Sequence, residues 1–166
     1  MAAITIRPAT PADGETFLTL VDALADYEKL DRPTPEARQR LLNDAFGERR
    51  RIRVFLGEID GRAVAYAIVL ETYSSFLALP TLYLEDLFVI PQARRHWMGR
   101  AFFRELAAEA VRRGCGRMEW VVLDWNQLAI DFYEKLGARR MTEWHTYRLS
   151  ADQLRQVAGE PGPQPG

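Results

Sequence analysis

Two adjacent carboxylates, Glu85 and Asp86, interrupt an otherwise apolar run over residues 82–89. Carboxylates rarely sit among apolar neighbours without a partner or a task. Successive strand residues point to opposite faces, so only one of the pair can face a given cleft. A desolvated carboxylate there gains proton affinity and suits a general base; one at a strand end in water would not. A second candidate is Tyr133, beside an inward stripe formed by Phe132 and Leu136 one helical turn apart. It either packs, or presents a phenol of ordinary pKa about 10 that can protonate a thiolate leaving group. A third is charge. Between residues 90 and 120, seven arginines against three glutamates leave a net charge of +4. Several precede or open a long helix, whose free N–H groups suit an anion, although solvated surface arginines look the same in sequence.

These groups need elements to hold them. Residues 4–7 alternate as a short strand, and Asp13 is placed to cap a helix reaching about residue 29. Thr34 caps a second helix with Pro35 in its first position, closed by Gly47. Strands are expected at 51–58 and 63–70, joined by the hairpin turn Asp60-Gly61, and at 82–89. A helix over 94–113 stops at Gly114. A strand over 118–123, a helix over 126–136 capped by Asn126 and ended by Gly137, and a last strand over 142–149 complete the domain. This order predicts an α+β fold, a sandwich-like arrangement around one mixed sheet. One domain over residues 1–158 is expected, with a Gly/Pro-rich tail over 159–166.

Composition narrows the function. The 166 residues carry a formal net charge of -1, which argues against a general nucleic-acid binder. The single cysteine, Cys115, excludes an intramolecular disulfide and a Cys-built zinc site, and reads as structural. His96 and His145 are too far apart for a metal motif, so no metal is expected. The longest apolar run, residues 63–70, is far short of the roughly 20 residues that span a bilayer, so no membrane partner is expected and the protein reads as cytoplasmic. Asp22, Asp26, Glu28 and Asp31 crowd one segment and could draw in a cationic amine, or line a solvated helix face.

Several stretches in this order resemble the GNAT superfamily of acetyl-CoA-dependent N-acetyltransferases, most closely its spermidine/spermine (diamine) and thialysine group. They are Ile6-Arg7-Pro8-Ala9-Thr10, Leu24-Ala25-Asp26-Tyr27-Glu28, Phe46-Gly47, Tyr83-Leu84-Glu85-Asp86-Leu87-Phe88-Val89, Trp125-Asn126 and Phe132-Tyr133-Glu134-Lys135-Leu136-Gly137-Ala138. The resemblance implies the GNAT fold, with a single mixed, mostly antiparallel central sheet flanked by helices, and transfer of an acetyl group from acetyl-CoA to a primary amine of a small molecule (polyamine, diamine or lysine-like), by direct attack. It implies that Leu87, Phe88 and Val89 pair with the pantetheine arm. Arg94, Arg95, His96, Trp97, Met98, Gly99 and Arg100 would cradle the pyrophosphate, and Asn126 would bind the cofactor by its amide. Tyr133 would protonate the departing thiolate, and Glu85 would take the amine proton through water. Tyr27, Glu28, Glu119 and Trp120 would line the amine pocket. A homodimer is also implied. The alternatives are a GNAT-fold CoA-binding or regulatory protein and a protein N-acetyltransferase. One departure stands out: the family's cofactor loop reads Arg-x-x-Gly-x-Gly or Ala, and here its central glycine is Trp97. A tryptophan there must turn its side chain away from the ligand, where glycine would allow close approach.

Overall fold

A computed structural model of the chain describes residues 2–94 and 97–160. They fall into two compact units, residues 1–121 and 122–166.

The first unit is built on a five-stranded sheet in the order β1 (Ile4–Pro8), β2 (Arg53–Ile59), β3 (Arg62–Ser74), β4 (Leu79–Val89) and β5 (Arg117–Glu119). The first four strands are antiparallel neighbours, and β5 joins β4 in parallel. Asp60 and Gly61 both take positive φ, 49° and 79°, as a two-residue primed turn between β2 and β3 requires. Helices α1 (Gly14–Glu28) and α2 (Pro35–Phe46) precede β2, and α3 (Met98–Arg112) lies between β4 and β5. Thr34 caps α2 as expected, its hydroxyl accepting from the Ala37 N–H. Asp13 does not cap α1 with its side chain. It is taken by Arg7, whose guanidinium reaches both Asp13 carboxylate oxygens at 2.8 and 2.9 Å and Glu58 at 2.7 Å. That fork holds the Asp13 carboxyl well below the usual range and clamps the start of α1 to β1 and β2.

Phe17 and Leu20 of α1, Ala45 of α2, Val54 and Leu56 of β2, Tyr66 and Ile68 of β3 and Phe88 of β4 form the core on one sheet face. The other face takes Met98 and Phe102 of α3, and Gly57 admits them. A Cβ there would lie 2.6 Å from the Phe102 ring and 2.8 Å from the Met98 sulfur. Gly57→Ala is therefore expected to lower unfolding free energy by about 1–3 kcal/mol. Urea denaturation checks it; an unchanged midpoint would mean that α3 yields freely.

Three expected elements differ. The helix expected from residue 94 begins at Met98, because Pro91–Ala93 forms a separate 3-10 turn and Trp97 takes φ 58°. The strand expected over 118–123 pairs only over Arg117–Glu119. The strand expected over 142–149 makes no ladder among the described residues: it opens with a turn at 142–143 and is exposed throughout; alternation marks a strand, but a strand forms only where an edge receives it.

The second unit contains α4 (Gln127–Lys135) and α5 (Ala151–Val157). Asn126 caps α4, its side-chain oxygen accepting from the Ala129 N–H at 3.2 Å. Gly137 closes that helix at φ 89°, as expected of a C′ glycine. The expected tail lies mostly outside the described residues.

Candidate active site

The β4 strand carries a bulge at the expected carboxylates. Ile68 of β3 faces Asp86, whereas Val69 faces Leu84, so Glu85 is the extra residue. Glu85 is exposed and Asp86 half-buried. Asp86 meets Tyr66, a fully buried β3 tyrosine whose hydroxyl donates a hydrogen bond to it. Burial pushes the Asp86 carboxyl up from 3.8 to about 6; the charges of Glu85 and Glu28 add to the rise and the Tyr66 hydrogen bond opposes it. Burial also drives the Tyr66 hydroxyl far above its ordinary value. Of the adjacent pair, Asp86 is thus the group tuned toward neutral pH.

The rings of Phe17, Tyr66, Phe88 and Tyr27 form a chain behind this carboxylate, with centroids 5.4–6.2 Å apart. It ends at Tyr27, half-exposed in the last turn of α1 beside exposed Glu28. A carbonyl-rich helix end and two carboxylates make this region attractive to a cation. Arg94 crosses from there to β4. Its Nε donates to the Val89 carbonyl at 3.0 Å, and its Nη1 donates to the Tyr27 hydroxyl at 2.8 Å, with the guanidinium 4.2 Å from the Tyr27 ring centroid. Arg94 therefore ties the expected amine residues to the expected cofactor strand.

The cofactor side has two features that fit a long acyl carrier. The β4–β5 ladder ends at Tyr83 opposite Glu119, yet β4 runs on to Val89. Among the described residues no strand pairs with that outer edge past Tyr83, so Leu87 and Val89 turn their backbone groups to an open edge, where the Val89 carbonyl accepts from Arg94, while Phe88 between them faces Tyr66 of β3. The N-terminus of α3 has no side-chain cap and no acidic residue in its first turn, leaving the N–H groups of Met98, Gly99 and Arg100 for an anion. Trp97 there adopts the left-handed conformation that glycine takes without strain, with its side chain largely exposed. Arg95 and His96 lie outside the described residues.

The remaining expected residues are more scattered. Glu119 pairs with Arg117 at 2.9 Å and acts, with Glu85, on Tyr83, whose hydroxyl burial pushes up. The Trp120 ring packs edge-on against Phe103 at 4.9 Å. Asn126 and Tyr133 belong to the second unit. The Asn126 carbonyl is used by its cap, which leaves its amide N–H groups to donate. Tyr133 is half-buried beside Phe132, and burial raises its pKa. Sequence reasoning had not singled out Tyr66. Its only signal was a hydroxyl in an apolar run, which a packing tyrosine shares.

The Acetyltransferase (GNAT) family model matches residues 19–138. The chain belongs to the GNAT acetyltransferase family. It is 33% identical to the pig thialysine N-epsilon-acetyltransferase, over 96% of this chain and all of that one. It is 40% identical to the Arabidopsis thaliana L-ornithine N5-acetyltransferase NATA1, over 55% of this chain and 40% of that one. The fold matches an integron cassette protein from the Vibrio cholerae mobile metagenome at a TM-score of 0.78 and 21% identity, covering 93% and 97% of the two chains. The GNAT fold expected from sequence, with its mixed sheet and flanking helices, is the fold found.

Proposed function

We propose that this GNAT acetyltransferase moves an acetyl group from acetyl-CoA to the terminal primary amine of a small cationic amino compound of the lysine or ornithine type. The observation that carries this reading is the position of Asp86. A carboxyl tuned to about 6 stands one residue before the open backbone edge of Leu87–Val89. One strand thus presents the amine-binding group and the acyl-carrier edge together, which favours direct attack without an acyl-enzyme.

Acetyl-CoA supplies an activated thioester. Leu87, Phe88 and Val89 pair with its arm, and the first-turn N–H groups of α3, with Arg94 and Arg100, hold its phosphates; Arg95, His96, Trp97, Met98 and Gly99 complete that loop, and Asn126 donates its amide. Tyr27 and Glu28 draw in the ammonium, with Glu119 and Trp120 at the outer wall, and Asp86 holds it. Glu85, exposed at the bulge, takes the ammonium proton through water, so a neutral amine attacks. Tyr133 protonates the departing thiolate. The names of the thialysine and ornithine relatives support the substrate class.

The catalytic domain spans residues 1–158, works in the cytoplasm and forms a homodimer. The exposed segment over 142–149, which joins no ladder among the described residues and leaves Trp144, Tyr147 and Leu149 in solvent, supports a second copy as its partner. Among the described residues no helix is long and apolar enough to cross a membrane.

Purified protein incubated with acetyl-CoA and a panel of amines is expected to release free CoA thiol fastest with thialysine, lysine or ornithine. Turnover confined to peptide N-termini would overturn the small-amine reading. Binding of CoA without turnover of any amine would favour a regulatory protein.

A further inference from the structure

Away from the Asp86 region, the sheet carries a second concave feature. A cleft of about 210 Å³ is lined by Arg50, Arg51, Arg53 and Arg113, with Glu71 as its only acidic wall. It opens at the Leu82 end of β4, roughly 13 Å along the strand from Asp86. The run Arg49-Arg50-Arg51 lies outside the expected cofactor cradle.

Two of the four cations are fixed in place. Glu109 of α3 is only 5% exposed, and a carboxylate so buried requires partners. It takes Arg53 at 2.5 Å, Arg112 at 2.9 Å and Arg113 at 3.7 Å. Arg113 is also held by Glu71. The other two lie on the segment that enters β2. The Arg51 and Ile52 N–H groups both donate to the Asp44 carbonyl, at 2.9 and 3.3 Å, which anchors the segment to the end of α2. Among the described residues the side chains of Arg50 and Arg51 form no ion pair or hydrogen bond. Four arginines thus line one concavity, with Glu71 and Glu109 the carboxylates paired to two of them, and a net positive charge remains.

We propose that this cleft is an anion-binding site, separate from the acetyl-transfer site, that takes a small phosphorylated anion. A phosphate group offers several acceptor oxygens to planar guanidinium forks, and its two charges match the excess in the cleft. Arg53 and Arg113 supply a rigid wall, and Arg50 and Arg51 close over the ligand. The small volume and the chain's net charge of -1 favour a small anion over a nucleic-acid backbone.

Calorimetric titration with inorganic pyrophosphate at fixed ionic strength tests the site without turnover, so it stands or falls independently of the acetyl-transfer reading. Saturable binding is expected, with a cleft component that R100Q leaves in place; any second component belongs to the N-terminus of α3. The exposed double variant R50Q/R51Q should weaken it by about tenfold or more with an unchanged thermal unfolding midpoint. R100Q, at the other anion-suited surface, should leave it intact. No saturable binding at millimolar pyrophosphate would overturn the proposal, as would equal affinity in R50Q/R51Q or a loss confined to R100Q. An oligonucleotide that binds through Arg50 and Arg51 more tightly than pyrophosphate would overturn the small-anion assignment.

Discussion

Tyr133→Phe is expected to lower kcat by roughly a hundredfold while leaving the KM of both substrates within about twofold. The variant keeps the ring that packs 5.6 Å from Phe132, so the local fold is preserved. What it loses is the proton that a departing thiolate needs. Burial raises the Tyr133 pKa above its ordinary value near 10, so the phenol stays protonated across the working range. The wild-type rate therefore shows no alkaline fall from this group below about pH 10, and the variant's profile keeps its shape at a lower amplitude. A leaving-group test separates chemistry from packing. An acetyl thioester of an acidic aryl thiol needs no protonation on departure and should restore most of the lost rate. A variant that retains a large share of wild-type kcat, or an aryl thioester that does not narrow the gap, would remove Tyr133 from the acid role.

Local features of the fold were readable where local chemistry decides them. Asp60-Gly61, Thr34 with Pro35, Asn126 and Gly137 each act within a few residues, and each does what its type predicts. Features set by distant partners were not. The alternation over residues 82–89 reads the same with or without an extra residue, so the bulge at Glu85 is invisible until β3 is laid beside β4. The choice between Glu85 and Asp86 depends on Tyr66 from β3 and Glu28 from α1, neither of which lies near them in sequence. The segment over 142–149 has strand-like alternation, but no edge among the described residues receives it. The missing loop glycine at Trp97 was a legible signal, and the chain does adopt positive φ at that position.

Asp86→Asn should cost activity and add stability, a pair of effects that an ordinary structural residue does not produce. The folded protein holds the Asp86 proton more tightly than the unfolded chain does, at about 6 against 3.8. Its contribution to stability is therefore most favourable below pH 4, is lost as pH rises from about 4 to 6, and stays lost at neutral pH. The amount at pH 7.5 is on the order of 2 kcal/mol, after allowing for the carboxyl's partial exposure. Asparagine keeps an oxygen for the Tyr66 hydroxyl but carries no charge to desolvate. Urea unfolding at pH 7.5 should thus show the variant more stable, with the difference vanishing near pH 4. Its kcat/KM for the amine should fall by about a hundredfold, and the acid limb expected of the wild type near pH 6 should be absent. Tyr66→Phe provides the sign test. Removing the hydrogen bond that holds the Asp86 carboxyl down lets it rise further, so the acid limb should move to higher pH. An Asp86→Asn protein that is less stable at pH 7.5, or an acid limb that survives it, would show that burial at this bulge serves packing alone and that another group holds the ammonium.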